Sequence, residues 1–152
     1  MKNTSLIAIA LVFFAIACKG SVTLAENTAV NSDDGVTEKY WKLVEINGNP
    51  VSSGDLNRDA YIVLKNEDNR LNGNGGCNTL TASYEIDHAT NRIRFSQIAT
   101  SMMACLNMEI EDALKRVLET ADNFSLSADG NFLSLNRARM APLARFELVY
   151  LR

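Results

Sequence analysis

The chain has 152 residues, 47% of them hydrophobic and 22% charged, with a formal net charge of -3 at pH 7. That length suits one modest domain with its own core. The mild acidity argues against nucleic acid or an anionic membrane surface as a charge-driven partner.

An apolar run from Leu6 to Ala17, headed by Lys2, comes first. As a helix it would span about 18 Å, well short of the roughly 30 Å of a bilayer core, so residues 1–17 read as an export signal and not a membrane span. Two readings share the bond after Ala17. Ala15-x-Ala17 fits ordinary secretory cleavage, which leaves Cys18 as the first mature residue. Ala15-Ile16-Ala17-Cys18 also resembles a bacterial lipobox, with Ala15 where Leu is usual, and there Cys18 carries the lipid. Lipidation is favoured, because an exposed thiol is a liability in an oxidising compartment and a polar tether follows. Residues 18–38 form that tether: Lys19 to Glu38 contains no aromatic residue and is rich in Ser, Thr, Asn, Asp and Glu, too polar to offset its ordering entropy. Its r.m.s. reach would be roughly 25 Å. Loss of Lys2 with the signal removes one positive charge from the formal -3, which leaves -4 on the mature chain.

The domain, residues 39–152, is predicted to be mainly strand. Tyr40 to Ile46 holds Trp41, the only tryptophan; Tyr61 to Lys65 and Arg70 to Gly73 flank the turn Asn66 to Asn69. Thr81 to Ile86 and Arg92 to Phe95 form a hairpin across Asp87 to Asn91. Between them and the last strands, Ile110, Ala113, Leu114, Val117, Leu118 and Ala121 recur at helical spacing. Asn107 is a candidate cap, and Glu109, Glu111 and Asp112 suit the positive helix start. Phe124-Leu126 and Phe132-Leu135 alternate with serine around Asp129-Gly130, a hairpin signal, and Phe146, Leu148 and Tyr150 close with period two. The expected fold is a small antiparallel barrel or strongly curved sheet of seven to eight strands with one packed α-helix.

With Cys18 lipidated, Cys77 and Cys105 remain as an even pair in an exported domain. A disulfide between them is the favoured reading; two buried reduced thiols are the alternative. No metal site is expected, because C-x-x-C is missing and His88 is the one imidazole.

Around the cysteines stand Asn72-Gly73-Asn74-Gly75-Gly76-Cys77-Asn78, then Tyr84, then Ser101-Met102-Met103-Ala104-Cys105 before the helix. Together with Trp41-Lys42-Leu43 and Asn47-Gly48 these resemble the META-domain family, whose bacterial members include HslJ-type heat-inducible lipoproteins. Trp41, Gly73, Gly76, Cys77, Asn78, Met103, Ala104 and Cys105 carry the likeness over the whole domain. Ser101 stands where Thr is usual and Met102 where a basic residue is common, so no role of that basic side chain carries over. The resemblance implies a barrel-like β fold, an envelope location and an association with stress or drug tolerance, with no agreed catalytic residues. The glycines read as structural, supplying positive φ and close backbone approach; no Gly-Lys-Ser/Thr follows to make a phosphate cradle.

No catalytic set is found. His88 falls in a hairpin loop and no G-x-S-x-G occurs, so a Ser-His-Asp hydrolase is not expected. Arg137, Arg139 and Arg145 read as a solvated strand face, and Met102, Met103, Met108 and Met140 as core filling. The expected function is that of a non-enzymatic exported envelope lipoprotein without cofactor. Its partners would be a membrane, through Cys18, and an envelope protein. The alternative is a lipocalin-like binder of a small apolar ligand.

Overall fold

The computed structural model describes residues 35–52, 54, 56–105, 108–138 and 140–150. The predicted signal, Cys18, most of the tether, Asn107 and Arg139 lie outside them. Among the described residues there are nine antiparallel strands and one α-helix: β1 Tyr40–Ile46, β2 Asn49–Pro50, β3 Tyr61–Lys65, β4 Arg70–Asn74, β5 Thr79–Asp87, β6 Arg92–Thr100, α1 Glu109–Thr120, β7 Asn123–Leu126, β8 Phe132–Asn136 and β9 Ala144–Val149. The strands follow one another in a single sheet, and β1 pairs with both β3 and β9, so the sheet curves into a ring. Pairing is thin at two places. β6 meets β7 only at Arg92 and Asn123, and β1 meets β3 only at Trp41–Lys42.

The ninth strand is β2, which the sequence analysis did not anticipate. Asn47 and Gly48 both take positive φ, 50° and 79°, the conformation of a tight two-residue hairpin turn, and Ile46 pairs with Asn49 across it. β6 runs five residues beyond its predicted end at Phe95. The reason is a bulge: Gln97 has φ 53°, and the β5–β6 register shifts between Thr81 and Ser83 before pairing resumes at Ala99 and Thr100. One extra residue breaks the alternation that marks a strand in sequence.

Inward positions build the core. Trp41, Leu43, Ile62, Leu64, Leu71, Leu80, Ile93, Leu133, Leu135 and Phe146 are fully or almost fully buried, and α1 adds Leu114, Val117 and Leu118. The helix packs on β6 and β1. Met108, not a polar residue, stands at its N-cap and makes no side-chain cap bond. Residues 35–38, assigned to the tether by composition, belong to the fold. Val36 is buried and accepts a 2.7 Å hydrogen bond from Trp41 Nε1, while Glu38 takes the Lys65 ammonium at 2.7 Å. That ammonium holds the Glu38 carboxyl below the ordinary carboxylate range.

β7 and β8 are joined by a hairpin longer than the Asp129-Gly130 signal suggests, with Leu126 paired to Leu133 and Ser127 N–H donating to Phe132 O at 2.9 Å. Asp129 organises this loop. Its carboxylate accepts from the Ser127 hydroxyl and from Asn131 N and Nδ2, and chiefly the Ser127 bond brings its pKa down to about 2. A carboxyl depressed by folding stabilises above its unfolded pKa of roughly 4 and loses that contribution as pH falls toward 2. Asp129→Asn is therefore expected to flatten the dependence of the urea midpoint on pH between 4 and 2. An unchanged slope would remove Asp129 from the acid response.

Candidate functional site

The buried polar segment Asn74 to Asn78, between β4 and β5, is the centre of the site. Three residues distant in sequence, Glu111 on α1 and Ser101 and Met103 after β6, converge on Asn78. Its backbone N–H donates to Glu111 Oε2 at 2.7 Å and its side-chain Nδ2 to Glu111 Oε1 at 2.9 Å. Nδ2 also reaches Met103 O at 3.1 Å, while Oδ1 accepts from the Ser101 hydroxyl and from Met103 N, each at 2.7 Å. Ser101 Oγ in turn accepts from Thr79 N at 3.2 Å. Ser101 thus supplies the hydroxyl that Thr would supply at that motif position. Asn74 shapes the loop itself, accepting from Gly76 N at 2.8 Å.

The glycines are required by closeness more than by φ. Of Gly73, Gly75 and Gly76, only Gly76 has positive φ, 106°, which corrects the expectation that all three supply it. A Cβ on Gly75 would stand 2.5 Å from Glu111 Cγ, and one on Gly73 would strike the carbonyl oxygen of Tyr61. The helix residue Glu111 therefore lies flat against a strip that only glycine can form.

Glu111 is the residue that sequence reasoning missed. Glu109 and Asp112 are exposed in the first turn as expected, but Glu111 is 5% exposed and turned inward to clamp Asn78. Its spacing, three residues before buried Leu114 and beside half-buried Ile110, was the available signal, hidden because helix-start charge already explained an acid there.

Cys77 and Cys105 stand at disulfide distance, their Cα atoms 6.2 Å apart and 28 residues apart in sequence. The bond ties the glycine loop to the segment that Asn78 holds from the other side. On the chain-entropy account, closing this loop contributes about 3–4 kcal/mol. Cys77→Ala/Cys105→Ala is expected to lose about that much in urea unfolding, and wild type in reductant to match it; a loss below about 1 kcal/mol would mean that the hydrogen bonds alone hold the loop.

The other predicted residues do not assemble into a site. His88 is exposed in the Asp87–Asn91 turn, its ring edge-on to Phe124 at 6.1 Å. Arg145 lies 4.2 Å over the Phe132 ring and is half-buried, while Arg137 is exposed. Tyr40, not anticipated as notable, stacks on Tyr61 at 4.3 Å, and burial pushes its hydroxyl up to about 12. The methionines depart most from expectation. Met102 is 99% exposed, Met103 47% and Met140 68%, so these three do not fill the core. Each stands on irregular backbone between elements, where no inward strand or helix face exists to bury it.

The profile of the META domain matches residues 34–150. No curated protein matches the chain. Among solved structures, the chain is similar to a protein known by NMR, 20% identical, with a TM-score of 0.58 over 74% of this chain and 91% of that one. It is similar also to a protein from Burkholderia xenovorans solved by NMR, 19% identical, with a TM-score of 0.60 over 75% of this chain and 83% of that one. At these identities the likeness is one of fold.

Proposed function

We propose that this chain, which belongs to the META domain family, works as a non-enzymatic exported lipoprotein of the HslJ type. It would be held at the cell envelope by a lipid on Cys18 and would support tolerance of envelope stress or antibiotics through protein contacts. The reading rests on one observation above all: the polar atoms of the family motif are used up inside the fold. Both Glu111 oxygens and the Asn78 amide are engaged with one another and with Ser101 and Met103. A carboxylate so held is a brace, not an acid or base presented to a substrate. The leader pattern ending at Cys18 and the polar tether support the location.

The lipocalin-like alternative draws no support from the interior, where Trp41, Leu43, Ile62, Leu64, Leu133 and Phe146 fill the ring. The test is a deletion strain complemented by wild type or by Cys18→Ser, challenged with heat, oxidants and antibiotics, with in-cell crosslinking from the domain surface. Sensitivity rescued by wild type but not by Cys18→Ser is expected, as is a mature mass carrying acyl chains. A deletion strain indistinguishable from its parent, with no crosslinked partner, would refute the function; an unacylated mature chain would refute the anchor.

A further inference from the structure

Three of the methionines, Met102, Met103 and Met108, line one open depression of about 340 Å³ between the end of β6 and the start of α1, together with Glu111, Asp112 and Lys115. Burying a methionine side chain is favourable, and Met102 at 99% exposure forfeits that gain. Nor can its segment turn the side chain inward by swinging. Asn78 holds Met103 at both its N–H and its carbonyl, and Cys105, three residues after Met102, is bonded to Cys77. The fold thus fixes the backbone of two consecutive thioethers at the surface and sets a third at the N-cap of the helix, lining the same depression.

A thioether is a neutral, soft donor. It binds monovalent copper or silver well and hard cations such as magnesium or calcium poorly. The surrounding groups sharpen that choice. Glu111 is a poor ligand, being 5% exposed with each oxygen already accepting a hydrogen bond from Asn78, and the two cysteines are consumed in their disulfide. Exposed Asp112 and half-buried Lys115 place opposite charges on the rim, so sulfur, not net charge, decides what binds. We infer that the depression lined by Met102, Met103 and Met108 binds one soft monovalent metal ion of the copper(I) class. The expectation of no metal site weighed thiol and imidazole ligands and left thioethers out.

The experiment uses the full chain with Cys18→Ser throughout, so that its thiol is no ligand, and copper(I) kept reduced by ascorbate, without air, against a chromogenic chelator. The parent is expected to take one equivalent, with sulfur scattering in the copper X-ray absorption spectrum. Met102→Leu/Met103→Leu/Met108→Leu, near-isosteric changes checked by the unfolding midpoint, is expected to bind at least tenfold more weakly. Met140→Leu, an exposed methionine outside the depression, should bind as the parent does. If the triple variant fails to fold, Met102→Leu alone, at a side chain that touches almost nothing, is expected to weaken binding at least threefold. Equal affinity in the parent and the methionine variants, or a parent that removes no copper from the chelator, overturns the inference.

Discussion

Glu111→Ala is expected to destabilise the domain by about 3–5 kcal/mol, a large share of the roughly 5–15 kcal/mol available to a domain of this size. The loss arises at Asn78, 1% exposed, whose backbone N–H and one Nδ2 hydrogen would no longer find the carboxylate. Each buried donor left without its acceptor costs about 1–3 kcal/mol, and the removed Cγ and carboxylate leave a hole against Gly75. Glu111→Gln separates charge from shape. One amide oxygen remains for Asn78, but the NH₂ group now opposes another donor, so a smaller loss of about 1.5–3 kcal/mol is expected. A double-mutant cycle with Gly75→Ala adds a geometric check. Alone, the new methyl collides with Glu111 Cγ at 2.5 Å; with Glu111 truncated to alanine only the 3.0 Å approach to its Cβ remains, so the two losses should fall short of additive. Urea unfolding followed by circular dichroism measures wild type and all four variants. A Glu111→Ala loss under 1 kcal/mol, or strict additivity, would show that the carboxylate is not the keystone of this loop.

That clamp also marks where legibility in the sequence ends. β1 as far as Leu43, β3, β5 as far as Tyr84 and β8 as far as Leu135 alternate between inward Trp41, Leu43, Ile62, Leu64, Ala82, Tyr84, Leu133 and Leu135 and less buried neighbours, so periodicity locates them. The stripe from Ala113 to Leu118 marks the helix in the same way. Local pattern fails where a residue is committed by a distant partner. Glu111 and Asn78 are 33 positions apart, and nothing at either position announces the other. Pattern fails again where geometry departs from strict pleat, as at Gln97, whose bulge hid the second half of β6. Met102 shows a third failure: composition assigns a methionine to the interior by default, and only the fold shows which backbone has no interior side to offer.

Trp41→Ala is expected to cost about 4–5 kcal/mol, and the comparison with Trp41→Phe shows why. The indole is fully buried on β1, whose Trp41 is the Cα partner of Ile62 on β3 and of Leu148 on β9. It therefore fills the interior at one of the two places where the ring is thinly paired, two residue pairs joining β1 to β3. Truncation to alanine loses most of the side chain's transfer energy and leaves a cavity that rigid strands on both sides cannot collapse. Phenylalanine keeps much of the volume but not the Nε1–H that reaches Val36 O at 2.7 Å, so its loss should be nearer 2 kcal/mol. The two variants also differ in where they loosen. Phenylalanine should preserve the global unfolding transition while exposing the Gly35–Lys39 segment to limited proteolysis; alanine should lower the transition itself, with a fall in Tm of many degrees. Circular dichroism must follow these variants, since Trp41 is the only tryptophan and its fluorescence vanishes with it. A Trp41→Ala domain within 1.5 kcal/mol of wild type would mean that ring closure rests on the β8–β9 and β1–β9 pairings and not on the packed indole.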